Sequence, residues 1–225
     1  MRIALAAFLT FLCPGLMAAT QVEVCFNYGC QARATVEFTE AQIDAAAAGL
    51  AGSRSAEEER QHIAEAVGRL YRLAGAQAPI AADRAGNFAD QGVNGKMDCI
   101  DHSTTTTHLL EVLQARGLLQ FHRVVPKARR TSLVLFQHFS AVVEEVEGVA
   151  ASVETVSVPV PDHVPVLMAL CDCPAPVPVA APLATMPQDA PGARFVIDSW
   201  FVEQGEPAVV LPLGDWLDGD GPYVP

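Results

Sequence analysis

One cysteine at a predicted loop-to-helix junction is the residue in this sequence best placed to act as a nucleophile. Cys99 follows the segment Asn94-Gly-Lys-Met-Asp and opens a helix predicted over residues 99–116. The unpaired amides and the positive dipole end of a helix start favour thiolate over thiol and can hold an oxyanion. Asp98 and Asp101 flank the cysteine, and their charges oppose thiolate formation, so a positive group from elsewhere in the fold must offset them.

Two polar residues in predicted strands could complete such a site. His138 lies in Phe136-Gln-His-Phe-Ser-Ala-Val-Val, where strand alternation puts its ring on a largely apolar face. Asp198 lies in Phe195-Val-Ile-Asp-Ser-Trp-Phe, among large apolar residues. A carboxylate buried there without a partner would cost several kcal/mol, and His138 is a suitable donor. The residue types alone also allow a simpler interpretation, a packed core histidine and a strand-end turn former.

The order of cysteine, histidine and aspartate resembles the transglutaminase-like branch of the papain-like fold, which includes bacterial transglutaminase-like cysteine proteinases. The similarity covers residues 94–216 and depends on Asp98-Cys99 with its helix, His138-Phe-Ser-Ala and Val196-Ile-Asp-Ser-Trp. The resemblance implies thiol-based acyl transfer, either amide hydrolysis or transfer between amines. It makes Cys99 the nucleophile, His138 the general base and Asp198 the residue that orients the imidazole.

The chain departs from that family at two points. Asp98 stands where many transglutaminases place an aromatic residue, and 60 positions separate His138 from Asp198. Gln91 and Asn94, upstream of the cysteine, are the candidate side-chain donors to an oxyanion. The stretch around the cysteine also resembles a group of exported proteobacterial proteins.

The same residues allow other functions. Candidate metal ligands are Cys99, Asp101, His102 and His108, with a second group of Cys171, Cys173 and His163. Neither spacing matches a zinc signature. The oxygen-bearing residues before the cysteine could bind calcium, but they lack the spacing of an EF-hand, so we interpret them as ordinary turn formers: they are Asp83, Asn87, Asp90, Asn94 and Asp98. We therefore expect no metal and no cofactor. The main alternative is a non-catalytic exported binding module on a degenerate cysteine-peptidase fold.

The cysteine count predicts an oxidising compartment with one thiol left over. Five cysteines follow the N-terminal leader: Cys25, Cys30, Cys99, Cys171 and Cys173. Local pairing would join Cys25 to Cys30 and Cys171 to Cys173, although spacing alone does not settle connectivity. Cys99 is then the free thiol.

The N-terminus and the charge predict an exported protein. Residues 1–19 combine a single charge at Arg2, a short apolar stretch and small residues before Thr20, which is typical of a cleaved secretory signal. No later segment is apolar over enough residues to span a bilayer. The net charge of −12 argues against nucleic acid as a partner. We expect a periplasmic or secreted protein that acts on a peptide or protein substrate in the cell envelope.

The apolar periodicity predicts an α+β fold in which three helices pack on an antiparallel sheet, in the papain-like or transglutaminase-like manner. Residues 20–225 should form one domain. Its N-terminal part, 20–93, holds a hairpin over 20–38 and helices that begin after Thr39 and Ser55. Its peptidase-like core is 94–216, interrupted by a proline-rich excursion over 158–191.

The core should contain about four strands, since four segments are rich in β-branched and aromatic residues. Lys127-Ala-Arg-Arg130 is interpreted as a short basic loop between the first two strands. The predicted strands lie in residues 119–125, 132–146, 194–202 and 209–213.

Overall fold

A computed structural model describes residues 19–86, 92–132, 136–147 and 191–222. The leader up to residue 18, Gln91, and nearly all of the proline-rich excursion with Cys171 and Cys173 lie outside the described residues. Among the described helices, none is both long and apolar enough to cross a membrane.

The described residues form an α+β fold with two antiparallel sheets, which confirms the predicted fold class. A hairpin of two strands stands apart from a four-stranded sheet whose order follows the chain, β3-β4-β5-β6. The strands are β1 (Thr20–Phe26), β2 (Ala32–Phe38), β3 (His122–Ser132), β4 (Phe136–Glu145), β5 (Arg194–Asp198) and β6 (Val209–Pro212). The helices are α1 (Glu40–Ala46), α2 (Ala56–Gly75), α3 (Cys99–Ala115) and α4 (Leu213–Asp218), with 3-10 turns at Leu50–Gly52 and Pro79–Ala82.

Side-chain caps fix where the longer helices begin. The N-caps of α1, α2 and α3 are Thr39, Ser55 and Asp98. Asp98 accepts hydrogen bonds from the amides of Ile100 and Asp101, and the Asp101 carboxylate accepts one from the Asp98 amide. This reciprocal box satisfies amides that a helix start leaves unpaired. It therefore makes Cys99 the first residue of α3.

The four-stranded sheet has two differently covered faces. On one face, Ala141 and Val143 of β4 pack into the main core with α3 and α2. On the other face, Val142 of β4 and Val196 of β5 pack against Trp216 of α4. Because side chains alternate along a strand, His138 and Asp198 share the face of Trp216.

Two strand predictions were wrong. Residues 127–130 are not a loop, because β3 runs through them and pairs with β4. The register shifts between Val125 and Ala128, so Pro126 sits at a bulge in an edge strand, where a missing N–H costs no ladder hydrogen bond. The strand predicted over 194–202 ends at Asp198. Helix α4, around Trp216, was not predicted at all.

Candidate functional site

The His138 ring and the Asp198 carboxylate are hydrogen-bonded. His138 Nε2 lies 2.8 Å from Asp198 Oδ2, and Asp198 is only 2% exposed. The same oxygen accepts from Trp216 Nε1 at 3.1 Å, and the other accepts from the Trp200 amide at 3.2 Å. A buried carboxylate with these donors is fully satisfied, as buried charges require.

Aromatic rings enclose the His138 imidazole. Its centroid lies 4.9 Å from Trp200, 5.2 Å from Phe201 and 5.5 Å from Trp216. Since a carboxylate only accepts, Nε2 carries the proton of the neutral ring and Nδ1 has the lone pair. No residue in the described part of the chain hydrogen-bonds Nδ1, so it is the ring atom able to act as a base.

Cys99 lies against the strand backbone on both sides of His138. Its Sγ is 3.7 Å from the carbonyl oxygen of Gln137, and the Phe139 amide acts to lower the pKa of the sulfur. β5 pairs with β4 only over residues 141–144, so the start of α3 meets β4 where that pairing has ended. Of the described cysteines, Cys99 is the free thiol.

The pKa of Cys99 moves opposite to the sequence prediction. Burial of the largely buried thiol raises its pKa to about 11, and the charges of Asp98 and Asp198 add to this effect. The amides of Phe139 and Cys99 act in the other direction but do not outweigh burial. Desolvation disfavours the thiolate more than the helix start favours it. At neutral pH the resting sulfur is a thiol, and nucleophilic attack needs a base.

A disulfide-closed loop covers the start of α3. Cys25 and Cys30 are bonded, with Cα atoms 4.7 Å apart, as the sequence suggested. Asn27, Tyr28 and Cys30 have left-handed backbones, with φ of 67°, 64° and 56° around Gly29 at 65°. Such conformations are costly for residues other than glycine and persist only where surrounding contacts hold them.

The amides of this loop bind the two aspartates beside Cys99. Tyr28 and Cys30 donate to Asp101 at 2.7 and 2.6 Å, and Gly29 donates to Asp98 at 2.9 Å. Successive amides in a left-handed turn form an anion-binding nest. Backbone dipoles thus stabilise the carboxylates that sequence analysis expected a positive group to offset. Burial and the Asp98 charge still raise the pKa of Asp101 to about 6.

Replacing both loop cysteines, Cys25→Ser with Cys30→Ser, is expected to lower the melting temperature. The chain-entropy model gives a small loop of this size about 2 kcal/mol, which is about 4–8 °C for a domain of this length. Differential scanning calorimetry measures the shift. Arg33→Ser, an exposed change in β2, is the control and should leave the melting temperature unchanged. An unaltered melting temperature in the double variant would mean that Asp98 and Asp101 hold the loop without the disulfide.

The oxyanion candidates are not placed at the sulfur by any described contact. Asn94 is exposed, and its Oδ1 accepts from Asn27 Nδ2 at 3.2 Å. Gln91 lies outside the described residues. The amides that favour the thiolate of Cys99 are instead those of Phe139 and of Cys99 itself.

The residues considered as metal ligands have other partners. His102 is bound by Asp83 and Ser199, each at 2.9 Å, and His108 Nδ1 contacts the Glu23 carbonyl at 2.8 Å. Within the described ranges, the group of candidate ligands close enough to share an ion is Cys25, Cys30 and Asp101. Its sulfurs are joined in the disulfide. The Cys171, Cys173 and His163 group, with Asn87 and Asp90, lies outside those ranges.

Some residues that shape the site were not predicted from the sequence. Trp216 was given no role in the site, yet its Nε1 donates to Asp198. Ser199 and Asp83, which bind His102, were given no role as its partners. A signal for Trp216 was present: a buried indole N–H needs an acceptor, and the apolar segment 194–202 offers a single carboxylate, Asp198.

The chain matches no protein-family model, no curated protein and no solved structure.

Proposed function

We propose that this protein is an exported thiol-dependent acyl-transfer enzyme, a cysteine peptidase, amidase or transglutaminase-like enzyme. Cys99 is the nucleophile, His138 the general base and Asp198 the residue that orients the imidazole. The observation that carries the proposal is the 2.8 Å bond between His138 Nε2 and a buried Asp198, at the strand position whose neighbouring backbone groups contact Cys99 Sγ.

In the proposed reaction the Cys99 thiol starts protonated and His138 Nδ1 accepts its proton. In the resting protein the thiol donates to the Gln137 carbonyl; for reaction its proton passes to His138 Nδ1. The sulfur then forms a bond to the acyl carbon while the carbonyl electron pair moves onto oxygen. The electron pair on oxygen then re-forms the carbonyl as the carbon–nitrogen bond breaks, and the imidazolium, stabilised by Asp198, gives its proton to the departing amine, which leaves a thioester on Cys99. Water or a second amine releases the acyl group from the thioester.

The proposed setting is outside the cytoplasm. A structural disulfide is typical of oxidising compartments, and Cys25–Cys30 is such a bond. Together with the leader predicted over residues 1–19, it supports a periplasmic or secreted enzyme. The proposed substrate is a peptide or protein of the cell envelope.

A second candidate is a binding module that has lost catalysis. Two observations favour an unreactive sulfur: the pKa of Cys99 is raised to about 11, and its thiol donates a hydrogen bond to the Gln137 carbonyl. In this alternative His138 and Asp198 only stabilise the sheet and α4.

Acetyl transfer from p-nitrophenyl acetate separates the two candidates. The wild-type protein is reacted at neutral pH, quenched and examined by intact mass and peptide mapping. We expect one acetyl group on Cys99, formed faster than on the same cysteine in the urea-unfolded chain, and none in Cys99→Ala. Without a base the raised pKa would make folded Cys99 react more slowly than the unfolded chain. That slower reaction would contradict the proposed function and favour the binding module.

A further inference from the structure

A chain of buried hydrogen bonds lies directly behind the proposed site. Asp83 Oδ2 is 2.9 Å from His102 Nε2, and His102 Nδ1 is 2.9 Å from Ser199 Oγ. Asp83, His102 and Ser199 are 1%, 2% and 6% exposed. Three polar side chains are therefore withdrawn from water and satisfied by one another.

Further bonds tie this chain into three segments of the fold. Ser199 Oγ lies 2.9 Å from Thr106 Oγ1, and Tyr71 OH of α2 lies 3.1 Å from the same threonine oxygen. At the other end, Asp83 Oδ1 accepts the Met97 amide at 2.9 Å. These hydrogen bonds thus join the loop before α3, α3 itself and the end of β5.

The residues of this hydrogen-bond network are close in sequence to the proposed catalytic residues. Met97 lies two positions before Cys99, and His102 lies on α3 three positions after it. Ser199 directly follows Asp198. A shift at either end would change the separation between the nucleophile on α3 and the carboxylate on β5.

The three residue types also resemble a serine-hydrolase triad, but they are not a second active site. Ser199 Oγ is buried and already shared between His102 and Thr106. A substrate carbonyl has no access to a hydroxyl at that depth. The residues therefore act within the protein.

A contribution to stability alone does not account for this buried hydrogen-bond network. Buried polar networks cost desolvation, and apolar side chains of similar volume often give equal or greater stability. A hydrogen-bonded network fixes the relative position of the elements it joins, because each hydrogen bond forms only over a narrow range of distances and angles.

We propose that Asp83, His102 and Ser199 are positioning residues that set the register of Cys99 on α3 against Asp198 on β5. The inference depends on the proposed function. It assigns no contact with substrate to any of the three residues.

The test compares two serine hydroxyls that make the same kind of bond. Ser199→Ala removes the bond to His102 Nδ1 together with those to Thr106 and Tyr71. Ser53→Ala removes a partly buried serine–histidine bond of similar length, 2.8 Å from Ser53 Oγ to His62 Nδ1, away from the site. Acetylation of Cys99 by p-nitrophenyl acetate and the melting temperature are measured for both variants.

We expect the acetylation rate to fall by about tenfold or more in Ser199→Ala, because misplaced reacting groups react more slowly, and to stay at the wild-type rate in Ser53→Ala. Ser199→Thr, which keeps the hydroxyl, should restore the rate.

The outcomes keep the two proposals apart. Wild-type acetylation that persists unchanged in folded Ser199→Ala overturns the positioning role and leaves the proposed function standing. If Ser53→Ala loses as much of the acetylation rate as Ser199→Ala and the two variants melt at the same temperature, the loss reflects a general effect on stability. That result also overturns the positioning role. A wild-type protein whose Cys99 is not acetylated overturns both. Should Ser199→Ala fail to fold, Asp83→Asn, which keeps the side-chain shape, takes its place with the same expectations.

Discussion

Asp198→Ala is expected to lower both the stability of the protein and the acetylation rate of Cys99. The change leaves His138 Nε2, Trp216 Nε1 and the Trp200 amide without their acceptor in a buried site. Removing one member of a buried ionic or charge-assisted network costs about 3–5 kcal/mol, which corresponds to about 10 °C in melting temperature. Acetylation should slow by about 10²-fold or more, because the imidazole loses the group that holds its tautomer.

Calorimetry and the acetylation assay measure the two losses on one preparation. Asp218→Ala, an exposed carboxylate change on α4, is the matched control and should alter neither. An Asp198→Ala protein as stable as the wild type would show that the three donors find other acceptors. Wild-type acetylation in that variant would remove Asp198 from the proposed mechanism.

His138→Ala is expected to slow acetylation of Cys99 by about 10²–10⁴-fold, the usual contribution of a general base. Its effect on stability should be smaller than that of Asp198→Ala, because Asp198 keeps the bonds from Trp216 and Trp200. The acetylation rate of the folded variant measures this effect. His108→Ala removes a histidine from the middle of α3 and serves as the control, with a wild-type rate expected. Equal rates in wild type and His138→Ala would exclude His138 as the base.

Local features were predictable from the sequence because their causes are local. The caps at Thr39 and Ser55 join residues within one helical turn. The disulfide closes over five positions. The contact between His138 and Asp198 is not local, yet it was anticipated because a carboxylate in an apolar strand must find a donor.

Properties that arise from tertiary contacts could not be predicted. The pKa of Cys99 depends on burial against β4, which no spacing in the sequence reveals. Pairing with β4 draws the basic stretch 127–130 into a strand, and the register shift accommodates Pro126. His102 and Ser199 are 97 positions apart, so their contact follows only from how α3 packs beside β5.

The pH dependence of Cys99 acetylation tests the central claim most directly. Rates are measured for wild type and His138→Ala from mildly acidic pH up to the pKa of the thiol, about 11. Imidazole bases lose their proton near neutral pH, so the account predicts that the wild-type rate reaches a plateau far below that value. In His138→Ala the rate should be lower at neutral pH and should climb steadily with the thiolate fraction. Two profiles that rise together without a plateau would contradict the account, because the thiolate alone would then be the reactive species.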